Sequence, residues 1–182
     1  MTLFFRVEVL LLVIFFTLAW CSPAAAAKAP KTAQPSKDAW MGVVTYVMDG
    51  DTIRVRPPEG GKPLQLRIHG IEAPEICQPG GMAARSALKR RILGERVAVY
   101  GKVRDHDGHL VRRIVFNHQD QGRGMVAHGL AWSYRRHDGD AGPYAAQQRS
   151  ARAARLGLFS RAHGAEPVYP AVFRKQHGRC YK

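Results

Sequence analysis

The alternation of apolar and polar residues predicts five short β-strands along the chain. The first two flank Asp49-Gly50, which is a strong turn signal for a β-hairpin. The third alternates Leu64, Leu66 and Ile68 with polar residues, as a half-buried strand does. The predicted strands are Val43–Met48, Thr52–Arg56, Leu64–Ile68, Arg96–Val103 and Leu110–Phe116. We therefore expect a domain whose core is mainly β.

Helical periodicity follows the third predicted strand and returns near the end of the chain. Met82–Leu93 places its apolar residues on one face, and its basic residues lie mostly outside that face. A short helix is predicted at Gly124–Leu130 and a longer one at Pro143–Leu156, which has a proline near its start. Beyond Ser160 the chain is basic, and we expect it to be irregular. This order of elements predicts an α+β, mainly β fold: a five-stranded OB-fold barrel capped by about three helices.

The N-terminus has the organisation of an export signal. Arg6 precedes the apolar run Val9–Trp20, and small residues then lead to Ala27. The run is short for a membrane span, so an uncleaved anchor is the weaker alternative, as is lipid attachment at Cys21. We expect a periplasmic or secreted protein, divided into residues 1–27 as signal peptide, 28–41 as flexible linker, 42–160 as OB-fold domain and 161–182 as basic tail.

The formal net charge is +14, from 28 Lys+Arg against 14 Asp+Glu. Such an excess indicates an anionic partner, either nucleic acid or an anionic membrane, although a basic protein without one remains an alternative. Export would leave Cys77 and Cys180, which we expect to form a disulfide that holds the C-terminal tail beside the loop after the third strand. No stable protein partner is implied, and we expect a monomer that touches a membrane only through an uncleaved signal segment.

Acidic residues cluster at two places in this basic chain. Asp49 and Asp51 flank a turn glycine, while Glu72 and Glu75 follow the strand that carries Arg67. Ordinary turn chemistry is enough to explain Asp49. A solvated acidic loop would be enough to explain Glu72 and Glu75 if these two residues occurred alone. Together, the carboxylates could converge on one hard cation, and without a His/Cys ligand set Ca²⁺ or Mg²⁺ is favoured over Zn²⁺. An arginine can bind the oxygens of a phosphate, and a carboxylate can position or deprotonate a water molecule. The pattern therefore indicates phosphodiester hydrolysis.

These motifs resemble the thermonuclease (staphylococcal-nuclease-like) family. The similarity runs from about Gly42 to Ser160, and its first two motifs are specific in their order and spacing. The matching segments are Asp49-Gly50-Asp51-Thr52, Leu66–Glu75, Asp105-x-x-Gly108, Gly129–Trp132 and Leu156–Phe159. The resemblance implies an OB-fold nuclease that uses Ca²⁺ to hydrolyse DNA and RNA.

The resemblance also implies roles for individual residues. Glu75 matches the general base, or the residue that orients the attacking water, and Arg67 matches one of two phosphate-binding arginines. The implied metal ligands are Asp51, Glu72, the carbonyl oxygen of Ala73 and, in an outer position, Asp49. Ca²⁺ is therefore the expected ion, with Mg²⁺ as the second candidate.

Two positions depart from the family pattern. Glu72 stands where the family typically has Asp, which leaves metal affinity open. His109 stands where the second arginine is expected, and histidine supplies neither a permanent charge nor a two-pronged donor. Arg113 on the same strand face, or Arg112 beside it, could compensate. We expect reduced or more acid-favoured turnover.

Other basic and aromatic residues are candidates for gripping nucleic acid. They are Arg85, Lys89, Arg104, Arg113, Tyr134, Arg135, Arg136 and His137, together with Trp132, for which core packing is the favoured interpretation. The sequence predicts an exported, Ca²⁺-dependent endonuclease acting on DNA or RNA. The alternatives are a catalytically weakened OB-fold module that binds nucleic acid, and a basic envelope-surface protein with no nucleic-acid role.

Overall fold

Residues 39–105, 107–134, 141–160 and 166–180 are described by a computed structural model. The expected signal peptide and linker residues 28–38 lie outside these ranges, as do Arg135, Arg136 and His137. Within the ranges, no helix has both the length and the apolar character needed to cross a bilayer.

Five strands close into a barrel, which confirms the predicted architecture. Antiparallel pairs join β1 to β2, β2 to β3, β1 to β5 and β5 to β6, and the parallel pair β3–β6 closes the ring. The strands are β1 Trp40–Val47, β2 Thr52–Arg56, β3 Leu64–Ile68, β4 Ile71–Glu72, β5 Arg96–Arg104, β6 Leu110–Phe116, β7 Gln119–Asp120 and β8 Trp132–Ser133. Strand β1 begins inside the segment expected to be linker. The short strands β4 and β8 pair with each other outside the barrel sheet.

Four helices pack around the barrel in the described part of the chain. They are α1 Gly81–Ile92, α2 Gln121–Ala127, α3 Ala145–Ala153 and α4 Pro170–His177, with a 3₁₀ turn at Gly157–Phe159. The prediction for α2 began too late, because Asp120 caps the helix by accepting a hydrogen bond from the backbone of Arg123 at 3.1 Å. The prediction for α3 was too long at both ends.

The expectation of an irregular tail beyond Ser160 was wrong. Pro170 occupies the first turn of α4, where its fixed φ suits a helix and its missing N–H costs nothing. Basic residues fill the last turn, and Gly178 follows with a φ of 79°. The tail therefore contains a defined helix, and this helix positions a residue of the candidate site.

The barrel interior is filled by aliphatic side chains, and α1 covers one end with its apolar face. The most deeply buried of these residues are Ile53, Leu66, Ile68, Val97, Val99 and Ile114 from the barrel, with Ala84, Leu88 and Ile92 from α1. Each large aliphatic side chain contributes about 1.5–3 kcal/mol relative to an exposed one. The β1–β2 turn and the β4–α1 loop are both joined to elements that pack in this core.

Candidate active site

The β1–β2 turn positions Asp51 through the side chain of Asp49. Oδ1 of Asp49 accepts hydrogen bonds from the backbone N–H groups of Asp51 at 2.9 Å and Thr52 at 2.7 Å. This is the turn-forming role that aspartate commonly plays. Asp51 is only 5% exposed, and its Oδ2 accepts a hydrogen bond from the backbone of Ala73 at 2.8 Å. The turn is thereby joined to the loop that follows β4.

Gly50 allows this close approach between the turn and the loop. A Cβ at residue 50 would lie 2.7 Å from the Cβ atoms of both Ala73 and Ala84. Real Cβ atoms do not tolerate such distances, so any larger residue would force the turn away from α1 and the loop. The glycine that the sequence indicates as a turn residue therefore also brings the two acidic motifs together.

Glu72 is buried at the centre of the site. Its strand β4 pairs with β8, and Glu72 lies opposite Trp132 with 2% of its surface exposed. Arg67 lies opposite Thr52 in the β2–β3 pairing, which brings its Nη2 atom 2.7 Å from Glu72 Oε2 and 3.8 Å from Asp51 Oδ2. The structure therefore unites Asp51, Arg67 and Glu72, as the sequence motifs lead one to expect.

Glu75 is held in the loop that leads into α1. Its backbone N–H donates to the side chain of Gln78 at 3.2 Å, and its carbonyl accepts from the backbone of Gln78 at 2.8 Å. Gln78 is itself buried and also donates to the carbonyl of Val168, in the segment before α4. The Glu75 side chain is 20% exposed, so it is partly open to solvent.

Arg174 is a member of the site that sequence reasoning missed. Its Nη1 atom donates to Glu75 Oε1 at 2.7 Å and to Glu72 Oε1 at 3.0 Å. It reaches the site from α4, which is tied to the β4–α1 loop by a disulfide between Cys77 and Cys180. The two cysteines in the sequence were the signal that the tail lies beside this loop. They did not indicate which tail residue enters the site.

Burial makes the charged form of two carboxylates of the site, those of Asp49 and Glu72, less favourable. Burial raises the pKa of Asp49 to about 8, and the charge of Asp51 acts in the same direction. Burial also raises the pKa of Glu72, although the neighbouring charges of Arg67 and Arg174 oppose this shift. The charge of Asp51 raises the pKa of Arg67, which keeps its guanidinium protonated.

This group of residues fits a hard divalent cation. The donors available are carboxylate and backbone oxygens, which are the ligands that Ca²⁺ and Mg²⁺ prefer. A carboxylate has about four lone-pair positions, so the two guanidinium contacts on Glu72 leave it capacity for a further partner. Asp51 and Glu72 are the residues suited to direct contact. Asp51 already accepts one hydrogen bond on each oxygen, from the Thr52 hydroxyl and the backbone of Ala73, whereas both bonds to Asp49 fall on Oδ1.

His109 lies in the β5–β6 turn, directly before β6, which pairs with the Arg67 strand β3. Its ring Nδ1 lies 3.0 Å from Asp105 Oδ2, and its backbone N–H donates to Asp105 Oδ1 at 2.8 Å. Burial tends to raise the pKa of Asp105, but these hydrogen bonds outweigh it and the pKa is lowered. Ligand atoms of Asp105, Asp107 and His109 lie within 4.8 Å of one another. Turn-closing hydrogen bonds account for this arrangement.

The residues expected to grip substrate are distributed around the barrel. Arg85 donates to the carbonyl of Val47 at 3.0 Å and to the Tyr46 hydroxyl at 3.1 Å, which fastens α1 to β1. Lys89 is exposed on α1. Arg104 donates to the carbonyl of Gly108 in the β5–β6 turn at 2.7 Å. These contacts give Arg85 and Arg104 structural roles that the sequence did not indicate.

The two arginines proposed to compensate for His109 have other partners. Arg113 pairs with Asp120 at 2.7 Å and its guanidinium lies 5.5 Å from the centre of the Tyr100 ring. Arg112 is buried and donates to the carbonyls of Val103 and Val111 at 2.7 and 2.8 Å. Both side chains are therefore engaged in contacts within the barrel sheet and with β7.

The aromatic candidates also differ from each other. Trp132 is 4% exposed and packs edge-on against Phe159 and Tyr169, so it is a core residue and its ring is not available to a nucleobase. Tyr134 is half-buried, and its backbone N–H donates to the carbonyl of Gly70 at 2.9 Å. Its place next to β8 leaves it as the aromatic candidate for substrate contact.

Several known proteins are similar in sequence to this chain. The family model described as staphylococcal nuclease homologue matches residues 65–161. Protein ParB of Escherichia coli is 33% identical over 154 residues, covering 79% of this chain and 86% of that protein. An uncharacterized endonuclease of Haemophilus influenzae is 27% identical over 133 residues, covering 73% of this chain and 72% of that protein. A probable staphylococcal-like nuclease of Oryza sativa subsp. japonica is 33% identical over 103 residues, covering 57% of this chain and 28% of that protein. The chain belongs to the family of staphylococcal nuclease homologues.

Proposed function

We propose that this protein is an exported, Ca²⁺-dependent nuclease that hydrolyses phosphodiester bonds of DNA, RNA or both. One observation carries the proposal. Asp51, Arg67, Glu72 and Glu75 form a continuous set of contacts, with Glu72 and Glu75 both within 3.0 Å of one guanidinium nitrogen. Pure binding of a polyanion would gain nothing from acids concentrated at this point, whereas hydrolysis of a phosphodiester needs them.

The protein's own groups have complementary tasks in this reaction. Arg67 keeps its positive charge and can bind non-bridging oxygens of the phosphate, where negative charge grows during attack. The carboxylate of Glu75 is partly exposed, and it is suited to orient a water molecule and accept its proton. Glu72 is fixed by burial, so the phosphate and the water would meet a preformed arrangement.

Asp51 and Glu72, with the carbonyl of Ala73, would hold the Ca²⁺ ion, and Asp49 would keep the turn in place. When bound, the ion supplies positive charge that stabilises the phosphate oxygens in the transition state. Mg²⁺ demands a stricter octahedral arrangement and shorter ligand distances, so we propose it as the weaker of the two ions.

The net charge of +14 supports a nucleic-acid substrate, because basic side chains attract phosphates along the whole approach to the site. The sequence of residues 1–27 supports export. The names of the bacterial and plant relatives, which describe an endonuclease and a staphylococcal-like nuclease, support internal cleavage of the strand.

The direct test is cleavage of single- and double-stranded DNA and RNA by purified protein that begins at Lys28. We would compare Ca²⁺, Mg²⁺ and a chelator, and test Glu75→Gln alongside Glu59→Gln. Glu59 lies exposed between β2 and β3, so its substitution controls for the loss of one surface carboxylate. We expect Ca²⁺-dependent cleavage that falls by about 100-fold or more in Glu75→Gln and is unchanged in Glu59→Gln.

Two results would contradict the proposal. Equal activity in chelator and in Ca²⁺ would exclude the metal dependence. Retained DNA affinity without cleavage under any ion would instead support the nucleic-acid-binding module.

A further inference from the structure

The C-terminal helix places a second guanidinium in the active site. Arg174 and Arg67 approach Glu72 from two sides, Arg67 at Oε2 and Arg174 at Oε1. The two arginines are far apart in the sequence, one on a barrel strand and one on α4. Glu72 therefore lies between two guanidinium groups, and one of them, Arg174, also contacts the partly exposed Glu75.

Arg174 is held in this position by several independent contacts. The disulfide between Cys77 and Cys180 fixes the end of α4, and the bond from Gln78 to the carbonyl of Val168 fixes its start. The ring of Tyr169, which precedes α4, packs against Trp132 at 5.6 Å between ring centroids. The helix is therefore a fixed part of the site, which a catalytic group requires, because misplacement by about 1 Å can cost a factor of about 100 in rate.

The guanidinium of Arg174 retains donors for a further ligand. Within the described part of the chain, the contacts of Arg174 with the glutamates use Nη1, which leaves Nη2 and Nε as donors for another acceptor. The side chain is 30% exposed, compared with 3% for Glu72. A planar fork with an open side matches two oxygens of a phosphate, which is the geometry that distinguishes arginine from lysine.

We propose that Arg174 is a catalytic residue that binds the phosphate under attack, opposite Arg67. This inference rests on the proposed nuclease function and assigns one more residue to the same site. Arg174 then has two roles. In the free protein it neutralises Glu72 and Glu75, and with substrate its remaining donors bind a non-bridging oxygen as negative charge develops there. His109, at the position of the family's second arginine, is instead hydrogen-bonded to Asp105 in the β5–β6 turn.

The test uses the full chain with Arg174→Ala, Arg174→Lys and the matched control Lys175→Ala. Lys175 is the next residue on α4, is exposed and carries the same charge. We expect kcat to fall by about 100-fold in Arg174→Ala, while Lys175→Ala stays near the wild-type value. Arg174→Lys should fall between the two, because lysine keeps the charge and loses the fork. Melting curves of each variant would report whether α4 remains docked.

A binding measurement separates contact with phosphate from a purely positioning role. A dinucleotide with a phosphorothioate linkage would be titrated into each variant in the presence of Ca²⁺. We expect Arg174→Ala to bind it about tenfold more weakly than Lys175→Ala does. A residue that only oriented Glu75 would leave this affinity unchanged, and that result would overturn the inference.

The outcomes also separate this inference from the proposed function. If the wild-type chain cleaves and Arg174→Ala cleaves equally well, the inference is wrong and the nuclease function stands. Faster cleavage by Arg174→Ala would also overturn it, because α4 would then be obstructing the site. If the wild-type chain does not cleave, the proposed function fails, and the dinucleotide affinities still decide whether Arg174 binds phosphate.

Discussion

Replacing both Cys77 and Cys180 with serine removes the covalent link between the β4–α1 loop and the end of α4. The two residues are 103 apart in the sequence, so the disulfide closes a loop of that length in the unfolded chain. The entropy of closing such a loop corresponds to about 4.7 kcal/mol, and disulfides in practice contribute about 2–4 kcal/mol. For a domain of this size we expect Tm to fall by about 5–15 °C.

A loss of stability of this size is expected only if α4 is docked against the rest of the domain, and the contacts of the helix meet that condition. Arg174 is paired with two glutamates, and Gln78 bonds to the segment before the helix. The assay compares oxidised protein, reduced protein and the double-serine variant by thermal denaturation. Reductant should lower Tm in the wild-type protein and leave the double-serine variant unchanged, because that variant controls for effects of the reductant itself.

A difference below about 1 °C between oxidised and double-serine protein would refute the reasoning, because it would mean that the link does not restrict the unfolded chain. A thiol titration under denaturing conditions gives an independent check on protein that begins at Lys28. Two free thiols there would show that Cys77 and Cys180 are not joined. Cleavage rates of the same samples would report whether α4 still delivers Arg174 without the covalent link.

Three further predictions concern the turn, the histidine and the N-terminus. Gly50→Ala should lower the free energy of unfolding by about 1–3 kcal/mol and weaken Ca²⁺ binding, because the added Cβ would lie 2.7 Å from the Cβ atoms of Ala73 and Ala84. Thermal denaturation would measure the first effect and a Ca²⁺ titration the second. His109→Arg should change the cleavage rate and make the dependence of that rate on pH less acid-favoured, and the effect should be larger in protein that also carries Arg174→Ala. Unchanged rates and pH profiles in both backgrounds would contradict this. Protein recovered from outside the cytoplasm should begin at or next to Lys28 by mass spectrometry, and recovery of an intact N-terminus would contradict signal cleavage.

Local patterns in the sequence were sufficient to predict the barrel strands. Alternation at Leu64, Leu66 and Ile68 reflects which side chains face the core, and Leu66 and Ile68 are indeed buried. The parallel pairing of β3 with β6 that closes the barrel joins segments far apart, so no local pattern contains it. Strands β4 and β8 have two residues each, which is too short for any periodicity.

The helix predictions failed where a single interaction decides the boundary. Gly122, a residue that disfavours helix, lies between the cap of α2 and the predicted start of this helix at Gly124. A Cβ at residue 122 would make a tight contact of 3.0 Å with the carbonyl oxygen of His69, and Asp120 supplies the cap. Helix α4 is held by long-range contacts of Arg174, Gln78 and the disulfide, none of which appears as a local pattern.

The contacts of Glu72 determine which substitution can be interpreted as a test of catalysis. Removing its carboxylate would leave Arg67 and Arg174 facing each other near a buried position, and breaking such a pair typically costs about 3–5 kcal/mol. A Glu72→Ala variant could thus lose activity through a displaced α4 as well as through a lost metal ligand. Glu75→Gln avoids this ambiguity, since the amide oxygen of glutamine can still accept the bond from Arg174 while the negative charge is lost. If Glu75→Gln retains the wild-type Tm and loses cleavage, the loss belongs to the chemistry of that carboxylate and not to the docking of the helix.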